Sequence, residues 1–309
     1  MIFNTHSLQE IVPILKGLLQ KNRQVSFQVL NPDYARGKYA GTEIEIDGIR
    51  YLYRSLRAWM ELAELLDCRM LIPKEESEIV LRLTFEKIEK HSFHLNSSTE
   101  KEEKYGIDSE FSAIYKMEEP AFFYYYNQAL ENVTLSKRKR ILDLGVNRGD
   151  EFEVIRSKVD KRLYQKMELV GVDYSKTAIA YAKENFKEKN VCFYREDINQ
   201  LESLNLGRFD LFISIGTLQS PDIHFKPFFM EVVQKYLNQE DAALILGFPN
   251  SRWRGGEMVY GAKAPNYVMS EMSLLFNDVI FCKKYLQQKR YRVTLTGKQY
   301  IFLTATKII

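Results

Sequence analysis

From residue 140 to the end of the sequence, short apolar runs alternate with helical segments, and this alternation limits the available folds more than any other feature. Candidate strands are 140–144 (RILDL), 168–172 (ELVGV), 191–194 (VCFY), 209–215 (FDLFISI) and 242–248 (AALILGF), with helical spacing between them at 175–188 and 225–238. Runs that are apolar on both faces suit strands covered on both sides, and strands joined through helices run parallel. The expectation is an α/β fold with a doubly wound parallel sheet. A last helix, about 270–289, leads into YRVTLTG and KQYIFLTATK, which meet at Gly297-Lys298. So tight a joint makes a terminal antiparallel hairpin.

The first 95 residues follow a different pattern. Leu8, Ile11, Ile14, Leu15, Leu18 and Leu19 have helical spacing behind a Ser7/Glu10 capping pair. VSFQVL (25–30) reads as a strand, and 43–54 holds two β-prone runs about Asp47-Gly48, a favoured hairpin turn. A helix is expected at 55–67, a buried strand at 68–72 and an alternating strand at 78–88. Residues 1–95 therefore read as a smaller N-terminal α+β domain, 96–109 as a polar linker, and 110–309 as the larger domain. Pro120 suits the first turn of a helix whose aromatics, AFFYYY, either dock it on the sheet or wall a pocket.

A chain of 309 residues, 45% hydrophobic, can supply two cores of this kind. Cys68, Cys192 and Cys282 lie far apart among apolar neighbours and read as reduced core thiols, not as a disulfide frame or metal site, which suits a cytoplasmic protein. The amino terminus lacks a signal-peptide pattern, and no window approaches the roughly 20 apolar residues of a membrane span, so no membrane partner is expected. Lys+Arg 44 against Asp+Glu 41 gives +3, spread along the chain, and does not mark a nucleic-acid binder.

In a doubly wound sheet, ligands bind beyond the carboxyl ends of the strands at the switch point. Here RILDLGVNRGDE (140–151) is strand, loop and helix: Asp143 nears the strand end, Gly145 and Gly149 allow close backbone approach, and Asp150 and Glu151 suit a helix first turn. Asp173, in VGVDYS, ends the second strand, and Asp197, in YREDIN, follows the third. Acids at those positions can accept hydrogen bonds from ribose hydroxyls and from an adenine amino group, so the ligand expected is a nucleoside. A dinucleotide is disfavoured, since Asn147 and Asp150 stand where its fingerprint needs glycines and an acid would repel pyrophosphate. Acids that merely cap helices remain the bland alternative.

Over about 110–309 the chain resembles the class I S-adenosylmethionine-dependent methyltransferases, through DLGVNRG, VGVDYS, REDIN, FDLFISIG and the closing hairpin. The resemblance implies a Rossmann-like sheet and S-adenosylmethionine as cofactor. Asp143, Gly145 and Gly149 would line its methionine part, Asp173 the ribose, and Asp197 with Ile198 the adenine, with Asn147, Tyr174, Ser214 and Gly216 also at the cofactor. Asn147 replaces the usual middle glycine, and Asn tolerates left-handed backbone better than most residues.

Methyl transfer is an in-line displacement, so holding the nucleophile aligned is the main task and a dedicated base is optional. The stretch GFPNSRWRGGEMVYGAK (247–263) follows the fifth strand and reads as an acceptor loop. Arg252 and Arg254 can grip an anion, Trp253 can stack on a ring, and Glu257 or Tyr260 can take a proton. Arg252, Glu257 and Tyr260 are the catalytic candidates, with an exposed polar connection as the alternative and His224 as a weaker base. The acceptor is a small molecule or an RNA, and a non-catalytic cofactor-binding regulator is a third reading. An RNA track would use 282–292 with Arg36, Lys38, Arg50, Arg54 and Arg57. The smaller domain is expected to recognise the acceptor.

Overall fold

A computed structural model describes residues 1–89, 103, 105–262 and 271–308. The chain forms two compact units, Met1–His91 with Arg254–Glu257, and Ser92–Trp253 with Met258–Ile309.

In the smaller unit, Gln24–Leu30 and Val80–Lys87 pair antiparallel, with Phe27 opposite Leu83. Ile2–Phe3 adds a parallel edge, while Cys68–Met70 and Lys74–Glu75 pair with Val80–Lys87. Alternation places Val25, Phe27 and Val29 with Leu83 and Phe85 on one face, where helices Leu8–Lys21 and Leu56–Leu65 bury Ile11, Leu15 and Trp59 against them. The Glu10 carboxylate accepts from the Ser7 N–H at 2.8 Å, holding the start of the first helix. The hairpin Glu43–Ile46/Ile49–Leu52 turns at Asp47 (φ 51°) and Gly48 (φ 76°), both in the left-handed region its two-residue turn demands.

The larger unit holds a seven-stranded sheet. Its strands are β1 (Arg140–Leu144), β2 (Glu168–Asp173), β3 (Val191–Arg195), β4 (Leu211–Ile215), β5 (Ala243–Pro249), β6 (Tyr291–Gly297) and β7 (Tyr300–Lys307). Their order is β3-β2-β1-β4-β5-β7-β6, parallel from β3 to β5 and antiparallel at β5/β7 and β7/β6. The order reverses between β1 and β4, which makes the loops after these strands the switch point. Beyond the sheet lie α1 (Pro120–Asn132), α2 (Asp150–Lys158), α3 (Lys176–Asn185), α4 (Phe225–Glu231) and α5 (Ser273–Gln288).

Successive strand residues point to opposite faces, so the sheet carries two cores. Ile141, Leu169, Ile213 and Phe302 pack under α1, α2 and α3, while Leu142, Leu144, Phe212 and Leu244 pack against α4 and α5. The α1 aromatics dock the helix: Phe122 lies 5.4 Å and Tyr126 6.3 Å from Phe302, and burying each contributes on the order of 2 kcal/mol. Phe123 and Tyr124 stay exposed.

Three expectations need correction. The helix expected over 225–238 ends at Glu231 and continues as a π-helical turn, Val232–Tyr236. Cys192 is exposed, not a core thiol, because β3 is an edge strand and alternation turns that residue outward; Cys68 and Cys282 are buried. The stretch 247–263 is not an open loop, since Ser251–Arg254 and Glu257–Tyr260 pair as strands about Gly255 (φ 53°) and Gly256 (φ 81°), and Lys263 lies outside the described residues. Among the described residues, no helix is long and apolar enough to cross a membrane.

Candidate active site

The site forms where β1 and β2 end side by side, with Asp143 beside Gly171 in register. Alternation along β1 puts Asp143 on the face of Ile141, and it is only 1% exposed. Among the described residues its Oδ2 is buried without a hydrogen-bond partner. Burial, then the nearby Glu151 carboxyl, raises the Asp143 pKa well above the usual carboxylate range.

After β1 the backbone turns back on itself. Gly145 has φ 78°, its N–H donates to Val172 O at 2.8 Å, and a side chain there would collide with Thr217. Only glycine satisfies both constraints. Asn147 sits at φ 46°, as expected of Asn in place of glycine, and its N–H donates to Asp173 Oδ2 at 2.9 Å. Gly149 (φ 92°) starts α2, where an added Cβ would lie 2.7 Å from the Phe186 ring. Gly171 in β2 makes room for Val146, whose methyl would stand 2.8 Å from a Cβ.

The Asp173 carboxylate also accepts from Ser175 N at 2.9 Å, bracing the loops after both strands. Burial raises its pKa against those two bonds. Tyr174 beside it is 43% exposed. Asp197 caps the turn after β3 through Asn199 N at 2.9 Å, and Ile198 is buried next to it. Gly216 (φ 75°) follows β4, and Pro249 and Tyr300 lie 3.5 and 3.7 Å from where its Cβ would be. Ser214 is 2% exposed and donates to Leu144 O at 2.9 Å, which ties β4 to β1.

Several residues that the sequence reading did not assign complete the cavity. Segment 111–116 faces the β1 loop across a small cavity lined by Phe111, Ile114, Lys116, Gly145, Asn147 and Glu151. Arg148 fastens that segment, donating to Ser112 O at 2.8 Å and lying 4.8 Å over the Tyr115 ring while paired with Asp150. Glu151 is 6% exposed, and burial pushes its carboxyl up to about 7. Its spacing from Val154 and Ile155 puts it on the buried stripe of α2, the one sequence signal that it faces inward. Glu103, in the stretch read as a linker, accepts from Lys176 N at 2.8 Å and Ser175 Oγ at 3.0 Å at the start of α3. Tyr105 O accepts from Asn147 Nδ2 at 2.8 Å, so this end of the stretch is docked on the larger unit; residues 96–102 lie outside the described residues.

The acceptor-side candidates lie apart from this cavity's lining. Arg252 donates to Gly261 O at 2.8 Å and Tyr260 O at 3.3 Å, and Tyr260 Oη lies 3.7 Å from Met272 Sδ. Glu257 belongs to the smaller unit, where it pairs with Arg69 at 3.1 Å and Arg254 pairs with Asp67. His224 precedes α4 without a side-chain capping bond, and the Trp253 side chain is half-buried.

A family model described as a methyltransferase domain matches residues 135–290, just over half of the chain. The chain belongs to that methyltransferase family. No curated protein matches this methyltransferase in sequence. Magnesium protoporphyrin IX methyltransferase from Synechocystis PCC 6803, solved with S-adenosylmethionine bound, is 14% identical, with 69% of this chain and 100% of that chain covered and a TM-score of 0.43. The methyltransferase domain of bacterial CtHen1-C is also 14% identical, covering 60% and 97% with a TM-score of 0.44. Coclaurine N-methyltransferase is 17% identical, with a TM-score of 0.34; 40% of this methyltransferase is covered, and it spans 35% of that chain's length.

S-adenosylmethionine is the methyl donor of this methyltransferase. The residues present fit it. Among the described residues Asp143 holds a buried oxygen without a hydrogen-bond partner, and the turn at Gly145 brings bare backbone to the cavity.

Proposed function

We propose that this methyltransferase acts on a small-molecule acceptor. The reading is carried by the state of four of the cations an RNA track would need. Arg54 is 6% exposed, donates to His6 O at 2.7 Å and stacks 5.3 Å over Trp59. Arg36 pairs with Asp33 at 3.0 Å and Arg50 with Glu45 at 3.7 Å. In the basic stretch 282–292, Cys282 and Leu286 are core residues and the Lys289 amine lies 5.6 Å over the Tyr285 ring. Cations so engaged are poorly placed to exchange counterions for a run of phosphates.

The bound donor supplies a methyl group on a sulfonium. In this reading, Asp173 accepts hydrogen bonds from the ribose hydroxyls, Asp197 and Ile198 hold the adenine, and Asp143 with the glycine turns takes the methionine end. The acceptor approaches beyond β4 and β5, on the side of Gly216 and the hairpin, where Arg252 and Tyr260 orient it or receive its proton. The smaller unit contributes to choosing it.

The test combines two measurements: labelled-methyl transfer to small-molecule and RNA fractions of a cell extract, and filter binding of total RNA over a salt series. Transfer confined to the small-molecule fraction, with RNA retention absent at low salt, is the expected result. Transfer to RNA, with affinity falling steeply as salt rises, would overturn the proposal.

A further inference from the structure

The smaller unit buries a cation without a counter-charge. Arg54, two residues before the helix Leu56–Leu65, is 6% exposed, and among the described residues it pairs with no carboxylate. Burial alone moves its pKa, downward from the ordinary arginine value. Charges taken out of water are normally paired, yet Arg54 has the Trp59 ring, 5.3 Å from its guanidinium, and His6 O, which accepts from Nη2 at 2.7 Å. Its Nη1 is buried and, among the described residues, makes no hydrogen bond. Trp59 Nε1, His6 Nδ1 and Asn4 Oδ1 share that state. These four atoms belong to one neighbourhood. Leu52 N–H donates to Asn4 O at 2.7 Å, as Arg54 does to His6 O, and the rings of His6, Phe3, Phe27 and Trp59 follow one another at centroid distances of 5.3, 5.2 and 5.7 Å.

A guanidinium and an indole N–H can only donate, while an Asn amide and an imidazole can turn to donate. Internal water can satisfy such donors, but it leaves the charge uncompensated. Donors gathered around an unpaired positive charge suit an oxyanion, which meets both demands at once. We propose that Arg54, Trp59, His6 and Asn4 form a site in the smaller unit for one oxyanion, the carboxylate or phosphate group of a small molecule. Arg54 supplies the counter-charge and its Nη1 donor, Trp59 the indole N–H, and Asn4 and His6, the half-buried members, close the outer side. The contact with the Trp59 ring holds the guanidinium without using its N–H donors. A buried site of this kind takes a single group, which is also why the same arginine makes a poor member of a track along RNA.

The sequence holds two tryptophans, Trp59 and Trp253, so the isotope-labelled full chain gives two indole N–H resonances, and Trp253→Phe shows which belongs to Trp59. The experiment titrates the protein with sodium phosphate and, separately, with sodium acetate, sodium chloride holding the ionic strength constant. A saturable shift of the Trp59 resonance, with Trp253 unmoved, is the expected result. A shift with phosphate alone marks a phosphorylated ligand, a shift with acetate alone a carboxylate, and each supports the site. Arg54→Met should abolish the shift and melt no lower than wild type, because an apolar side chain of similar volume removes an unpaired buried charge. Arg54→Lys, which keeps the charge but loses the forked donors, should weaken binding by about tenfold. No saturable shift with either anion, or a shift retained in Arg54→Met, overturns the proposal. An Arg54→Met protein that no longer folds makes the arginine a structural element and overturns it as well.

Discussion

Replacing Glu151 by Gln should change how stability depends on pH. The Glu151 carboxyl is 6% exposed and titrates at about 7 in the folded protein, against an ordinary value of 4.5. Burial is the main cause; Asp150 adds to it, while Lys116 and Arg148 oppose it. Because the folded state holds this proton more tightly than the unfolded chain, the group favours folding most below about pH 4.5. That contribution is lost as pH rises to about 7 and is flat above it. A shift of about 2.5 units, at 1.36 kcal/mol each, corresponds to about 3 kcal/mol for the whole window. Gln resembles the protonated acid, so the variant should lie within about 1 kcal/mol of wild type near pH 5 and be more stable by up to about 3 kcal/mol near pH 8. Relief of the neighbouring Asp143, whose carboxyl is raised partly by Glu151, acts in the same direction. Urea melts between about pH 5 and pH 8 would measure this. Parallel wild-type and variant profiles, or a variant less stable near pH 8, would refute the claim that Glu151 is buried at a cost when charged.

Asp173→Ala should lower donor affinity by about a hundredfold, since the two ribose contacts proposed for it would be lost and the Asn147 turn loses its brace. Unchanged affinity in a folded variant, by calorimetry, would remove the ribose assignment. Gly145→Ala should cost stability by more than about 1 kcal/mol and weaken donor binding, because a left-handed residue would collide with Thr217. A variant with wild-type melting temperature and affinity would show that the close approach does not constrain the loop. Arg252→Ala should leave donor affinity nearly unchanged while lowering methyl transfer, and wild-type turnover in that variant would make the hairpin a purely structural element.

Much of the larger unit was legible because its determinants are local. The strand runs 140–144 and 168–172 coincide with β1 and β2 to within a residue, since a run apolar on both faces can be satisfied only between two helical layers. Asp143, Asp173 and Asp197 could be placed along one edge of the sheet because strand ends in a parallel sheet gather there whatever the intervening helices contain. Asn147 could be read as a left-handed turn residue from its chemistry alone, and it has φ 46°.

What stayed hidden depends on partners distant in sequence. Nothing local says that Lys116 meets the field of Tyr300, 184 positions away, or that Thr217 closes over Gly145. Ser214 stands at a strand end like a ligand residue, yet the β1/β4 pairing commits its hydroxyl to Leu144 O. The stretch 247–263 looked like a loop because its polar residues mask a hairpin whose arms are only four residues each, and Glu257 looked like a free base until Arg69 came to lie 3.1 Å away. Periodicity and turn chemistry are properties of neighbours along the chain, so the layers and the acids at the strand ends could be read from the residues alone, while the strand order could not. Burial and electrostatic field are properties of neighbours in space, so it took the folded chain to show which of those acids is buried, which hydroxyl is spoken for, and that a lysine from outside every motif lines the cavity beside the β1 loop.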